Sequence, residues 1–265
     1  MLKSILLKTL RDFVNQFIYF SIGIFLMSIM VMYVIAEIPL EEFQEILGEL
    51  PKIITAFVGG HGGLDMTSVE GVLNTDIFTI LAPVIVIGLG MFSGMNATAI
   101  EEENKTLEII LSLPIGRKKF LVEKMISLIF KVLLIGLIFW ISFLLSALIF
   151  DLNISYFNLA AICFNLSLLG ISFGLFSVAI GTITSNSNVV FSISSIVAVI
   201  SYLIFTLAPL FDKISFTKYF SLFYYYKGSN PLVNGFHDWH WIISLLLISF
   251  FFFFSLFKWE RKDLS

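Results

Sequence analysis

Six apolar runs, each long enough to cross a bilayer, leave this chain few ways to fold: Phe17–Ala36, Ile77–Ala99, Met125–Phe150, Phe157–Thr182, Val189–Phe211 and Trp241–Phe257. About 20 apolar residues in a helix match the hydrocarbon thickness. Inside hydrocarbon every backbone N–H and C=O must be paired, which a helix does within its own segment. Composition agrees, because 58% of the 265 residues are hydrophobic and 13% charged, against about a quarter charged in soluble domains. The expectation is an all-α integral membrane protein with six transmembrane helices. A single membrane domain spanning 1–265 nearly uses up the chain, leaving no room for a nucleotide-binding domain.

The first run is preceded by Met1–Gln16, where Leu2, Ile5, Leu6, Leu10, Phe13 and Val14 recur at helical spacing beside Lys3, Lys8 and Arg11. That pattern predicts an N-terminal amphipathic interfacial helix. A signal peptide ending near Val34 and Ala36 is the rival reading, but the apolar core exceeds the usual 7–15 residues, so an uncleaved span is expected. Residues 37–76 read as a loop rich in glutamate, with Leu40, Phe43, Ile46, Leu47 and Leu50 predicting a surface-lying amphipathic helix. The Gly59–Gly63 stretch is a weak phosphate cradle, since no Gly-Lys-Ser/Thr follows it. It reads as a flexible turn.

Charge sets the orientation. Of the 16 lysines and arginines, twelve fall at the two ends, in the stretch between the second and third spans, or at Lys131 beside it. Four, Lys52, Lys213, Lys218 and Lys227, fall on the other side. By the positive-inside rule both termini are expected in the cytoplasm. Lys131 is placed about one turn into the third span, near enough to the surface to snorkel. The remaining spans carry no acidic, basic or histidine side chain, so an ion-coupled mechanism lacks its usual intramembrane charges.

The most charged stretch runs from Glu101 to Lys124. Thr106 to Leu113 places Leu107, Ile110 and Leu111 on one side of a short helix, with Glu108 and Ser112 opposite, and Pro114 and Gly116 end it. The order Glu103, Thr106-Leu107-Glu108, Leu111-Ser112-Leu113-Pro114, Arg117, Lys124 resembles the signature loop of ABC-2 type transporter permeases. Lys105 and Glu123 stand where glycine is common in that family.

The resemblance implies that the loop at 100–124 carries a cytoplasmic coupling helix that docks on a separate ATP-binding subunit. Glu103, Thr106, Leu107, Glu108, Leu111, Pro114 and Arg117 are then the docking candidates, with Glu103 and Arg117 as ion-pair anchors. It also implies a permease working as a dimer, with homodimer and heterodimer both open, and ATP and Mg held by the partner rather than by this chain. Within the external loop 212–240, Tyr224 to Gly235 looks like the short external helices of some members. Tyr224, Tyr225, Tyr226 and Pro231 are therefore candidate gate residues.

Helix packing has its own signal. Gly170, Gly174 and Gly181 fall on one face of the fourth span, and Gly90 and Gly94 on one face of the second, where small residues let helices approach closely in lipid. His237 and His240 are spaced as metal ligands can be and His61 stands alone; no metal site is assigned to them, and Cys163 has no partner. No catalytic group and no nucleic-acid partner is expected. The function read from the sequence is the membrane permease subunit of an ATP-driven exporter at the cell membrane. A scaffold or signalling partner without transport, or an intramembrane enzyme using residues such as Asn165 and Ser194, are the alternatives.

Overall fold

A computed structural model of the chain describes residues 5–37, 67–104, 116–236 and 239–262. All regular structure among them is helical. Six helices there are long and apolar enough to cross a membrane, and with the sequence pattern they make the chain a multi-pass membrane protein.

The first span is α1, Ile5–Glu37. Its 33 residues run without a break through Gln16 into the apolar run, so residues 5–16 form the start of a helix about 50 Å long rather than a separate element. Nothing between Arg11 and Ile22 would stop it, since neither proline nor glycine occurs there. Its first turn is tied down where the Leu6 N–H donates to Glu123 Oε2 at 3.0 Å.

The second span starts earlier than the sequence pattern indicated. Val69–Asp76 is helical (α2), although it was read as the end of a loop, and Ser68 caps it by accepting from the Gly71 N–H at 3.1 Å. A π-turn at Ile77–Leu81 follows, then α3, Ala82–Ala97. After a break at Thr98 the short α4, Ala99–Glu103, leads toward residues 105–115, which lie outside the described set.

The third span is α5, Arg117–Ile149. It begins at Arg117, because the basic residues after Gly116 are good helix formers and no breaker separates them from the apolar run. Lys131 sits about four turns from the helix start at Arg117, and its ammonium lies over the Phe13 ring of α1, 5.1 Å from the centroid. The fourth and fifth spans are α6, Tyr156–Gly181, and α7, Ser187–Leu207, the latter prolonged by a 3-10 turn at Ala208–Leu210. A second 3-10 segment, Asp212–Phe220, and two short helices, α8 (Leu222–Lys227) and α9 (Pro231–Asn234), precede the last span, α10, His240–Glu260.

Helix α6 is the centre of the bundle, buried along nearly its whole length between α3, α5 and α10. Glycine makes this possible. A Cβ on Gly90 or Gly94 would collide with the carbonyl oxygens of Gly170 and Gly174 respectively, and one on Gly181 with the Thr98 hydroxyl. The α3 and α6 backbones thus touch, gaining the van der Waals contact that drives helix association in lipid. Three serines on α6 are satisfied locally: Ser167, Ser172 and Ser177 donate to the carbonyls of Cys163, Leu168 and Phe173 at 2.8–3.0 Å.

Helices α1, α7 and α10 surround this centre and keep one apolar face outward, as at Met30, Val199 and Phe253. In a bilayer those faces meet acyl chains. The bundle therefore has two distinct ends, one charged, with residues 98–104, 116–124 and 258–262, and one aromatic, with residues 208–240.

Candidate functional site

At the charged end three consecutive glutamates diverge to three different helices. Glu101 accepts from Lys124 of α5 at 2.6 Å, and Glu102 accepts from Lys262, just past α10, at 2.7 Å. Glu103 takes both the backbone N–H and the hydroxyl of Ser187, the first residue of α7, at 2.7 and 2.6 Å. On the helix α4 successive residues point about 100° apart, so a run of three can reach in three directions. The break at Thr98 places them there by turning α4 away from the α3 axis.

The electrostatics differ between the three. The Glu101–Lys124 and Glu102–Lys262 pairs are largely buried, with side chains 10–19% exposed. Lys262 also donates to the Gly181 carbonyl at 3.2 Å, which binds the end of α6 into the same junction. Glu103 is exposed, and its carboxyl is held below the ordinary value of 4.5, first by the Ser187 hydroxyl and then by the Ser187 N–H. It fills the place of a helix partner for an otherwise unpaired N–H at the positive end of α7. Asn186 completes that cap by accepting from the Val189 N–H at 3.1 Å.

Around this junction α1 and α10 are tied to the start of α5. Glu123, a residue within the signature loop, binds the Leu6 N–H. Lys118 pairs with Glu260 at 2.8 Å, and the Trp259 indole donates to the Arg117 carbonyl at 3.2 Å while its ring stacks on Phe120. The Arg117 side chain itself is exposed.

The aromatic end is built differently. Helix α8 is hung from α7 by a pair of serines: the Ser221 hydroxyl donates to the Ser201 carbonyl at 2.6 Å, and the Leu222 N–H donates to the Ser201 hydroxyl at 3.0 Å. Tyr224 and Tyr225 pack their rings on His240, with centroids 4.9 and 5.7 Å away. Tyr226 and Lys227 turn inward and are buried. The Tyr226 hydroxyl donates to the Phe78 carbonyl at 2.8 Å; Lys227 donates to the Asn74 carbonyl at 2.7 Å and to the Thr79 hydroxyl. Burial pushes the Lys227 amine down to about 7. Pro231 opens α9 after Asn230, which adopts a positive φ of 52° and accepts from the Asn74 amide at 3.0 Å.

Between α3 and α7 an apolar groove of about 330 Å³ opens sideways, lined by Pro83, Ile87 and Met91 on one wall and Phe191, Ala198 and Tyr202 on the other, with Thr79 at one end. A larger one, of about 530 Å³, lies between α1 and α3 beside Tyr19, Gly23 and Gly88. Both walls are those of lipid-facing helices.

A family model described as ABC-2 family transporter protein matches residues 4–264, essentially the whole chain. The chain belongs to this family. No curated protein matches the sequence significantly. ABC-2 membership together with the six apolar helices makes the chain a membrane transport component rather than itself a catalyst. ABC-2 permeases generally work with an ATP-binding subunit.

Of the docking candidates named from the ABC-2 signature, Thr106, Leu107, Glu108, Leu111 and Pro114 lie outside the described residues. Glu103 and Arg117 flank that segment, the first engaged with Ser187 and the second exposed. Gly90, Gly94, Gly170, Gly174 and Gly181 meet at the α3–α6 contact. Of the four gate candidates, Tyr224 and Tyr225 border His240, Tyr226 binds the π-turn, and Pro231 starts α9. His61 and His237 fall outside the described residues, and among the described ones no group of three metal-binding side chains forms. Asn165 donates to the Tyr226 carbonyl at 3.4 Å, and the Ser194 and Ser177 hydroxyls lie 2.9 Å apart, so both serve contacts between elements.

Sequence reasoning passed over Glu101 and Glu102 as partners for particular lysines, and counted Lys227 only as a charge on the side opposite the termini. Pro83, a few residues into an apolar run, was the available signal for the π-turn, since proline leaves a carbonyl without its N–H.

Proposed function

We propose that the chain is the membrane-spanning permease subunit of an ATP-driven exporter, with ATP and Mg bound and hydrolysed in a separate ATP-binding subunit. The observation that carries this reading is the divergence of Glu101, Glu102 and Glu103 to α5, α10 and α7, directly before residues 105–115. A push on the coupling segment Thr106–Pro114 is passed through three polar contacts to three spans at once. The second and third spans, which flank the segment, tilt with it.

The charge asymmetry of the sequence orients the charged end toward the cytoplasm of the cell, with both termini beside the ATP-binding subunit. Leu107 and Leu111 supply the apolar side of the docking helix, Thr106 and Glu108 its polar edge, Pro114 its end, and Arg117 the exposed charge at the rim. A second permease copy completes the membrane unit, and the substrate crosses at their shared face. Tyr224, Tyr225 and Pro231 then lie on the external side, where the path ends.

The test is purification of the full chain from its native membrane in mild detergent, with identification of whatever accompanies it. A stoichiometric ATP-binding protein is expected, and Leu107→Asp with Leu111→Asp should remove it while the permease stays monodisperse. A folded permease that never carries such a partner, or one whose partner is indifferent to both substitutions, overturns the reading.

A further inference from the structure

Proline at position 83 creates a hydrogen-bonding vacancy in the second span, because its nitrogen carries no proton. In an α-helical register the missing donor would leave the Thr79 carbonyl without its partner. The chain instead widens into the π-turn at Ile77–Leu81, where the Ala82 N–H reaches back five residues to Ile77. Phe78 carries the next carbonyl, and its donor in that register would be the nitrogen of Pro83, which has no proton. The Tyr226 hydroxyl donates to the Phe78 carbonyl instead, at 2.8 Å.

The other edge of the turn is treated in the same way. The Ile77 N–H pairs in α register with Leu73, and Asn74 carries the next carbonyl along the helix. It accepts from the Thr79 hydroxyl and from Lys227 Nζ, each at 2.7 Å, and Lys227 also donates to the Thr79 hydroxyl. Two consecutive side chains of α8 thus bind one carbonyl just before the π-turn and one within it. Both are buried, and an unpaired carbonyl there would have no water to turn to.

We propose that Tyr226 and Lys227 are positioning residues that lock the π-turn of the second span, and so fix the angular phase between its outer part, Val69–Asp76, and its inner part, Ala82–Ala97. A π-turn is one extra residue absorbed in a single turn, so losing it rotates one flank against the other by about 100°. Thr79 and Pro83 line the groove between α3 and α7, so the phase also sets which side chains that groove presents. The external helix α8, through two side chains, thereby controls the shape of the span that descends to the acidic triplet. The lock is a property of the folded chain and holds whether or not an ATP-binding subunit is its partner.

The test needs neither substrate nor ATPase. Spin labels are placed at Asp76→Cys, exposed on α2, and at Tyr156→Cys, exposed at the start of α6, in a Cys163→Ala background. Distances are measured by pulsed electron resonance on the full chain in lipid nanodiscs. The parent should give one narrow distribution, and Tyr226→Phe with Lys227→Met should shift or split it by on the order of 8 Å, the chord of a 100° turn at the helix surface.

Deleting Ile80 separates this lock from ordinary destabilisation. The deletion removes the extra residue, so the flanks keep their phase in plain α register, and the parent distance should return when it is added to the double variant. Should the double variant fail to give monodisperse protein, Tyr226→Phe and Lys227→Gln are measured singly, each expected to broaden the distribution. A monodisperse variant with the parent distribution, or a deletion that fails to restore it, overturns the proposal.

Discussion

Glu103 and Ser187 meet with every donor and acceptor matched: the Ser187 N–H and hydroxyl, 2.7 and 2.6 Å away, each take a different carboxylate oxygen. The contact lowers the Glu103 pKa in the folded chain relative to its ordinary value of 4.5, so the stability it contributes is complete above that value. It is lost as pH falls through the lower folded value. Thermal unfolding of the purified chain should therefore show a loss on acidification below 4.5 that is smaller in Glu103→Gln. Equal acid sensitivity in both proteins would show that Ser187 does not depend on the charge.

The Glu102–Lys262 pair is the more enclosed contact, with side chains 10% and 12% exposed. Lys262→Met leaves a carboxylate in a site it cannot hydrate, which should cost on the order of 3–5 kcal/mol. Adding Glu102→Gln removes the stranded charge and should recover much of that loss. A double-mutant cycle on unfolding temperature checks this, and additive effects would mean that the two side chains are not coupled.

Two glycines on α3 separate packing from propensity. Gly90→Ala drives a methyl group into the Gly170 carbonyl, which only a shift of the α3 or α6 backbone relieves, and should destabilise by about 1–3 kcal/mol. Gly88→Ala meets nothing within 4 Å and should be neutral or stabilising, since alanine is the better helix former. Melting curves of the two variants in the same detergent decide the matter.

Tyr226→Phe strands the buried Phe78 carbonyl and should cost about 1–3 kcal/mol. Tyr225→Phe removes an equally short bond to the Tyr219 carbonyl, at 2.8 Å, but that contact is exposed and water replaces it. Its effect should stay within about 0.5 kcal/mol. Comparable losses in the two variants would show that burial is not what separates them.

The membrane helices were legible because their signal is local. A run of apolar residues needs no partner to be recognised, and the glycines at Gly90 and Gly170 announce a close contact without saying with what. The ends of the helices were less legible. Val69–Asp76 lacks the apolar character that marks a span, yet it is helical and capped by Ser68. The polar contacts were not legible at all. Glu101 to Lys124 spans a few turns of sequence, but Glu102 to Lys262 and Lys227 to Asn74 join residues more than 150 positions apart. A buried lysine in a loop of tyrosines reads as an interfacial charge until the carbonyl it serves is seen.

The central place of α6 bears on how the chain is made. It follows α1, α3 and α5 in order of synthesis, and its glycine face has both α3 and α5 already present in the membrane to receive it. Its remaining neighbours, α7 to α10, are synthesised later and close over it. Nascent α6 thus has a seat prepared on one side and a flank on the other that stays open until α10 arrives.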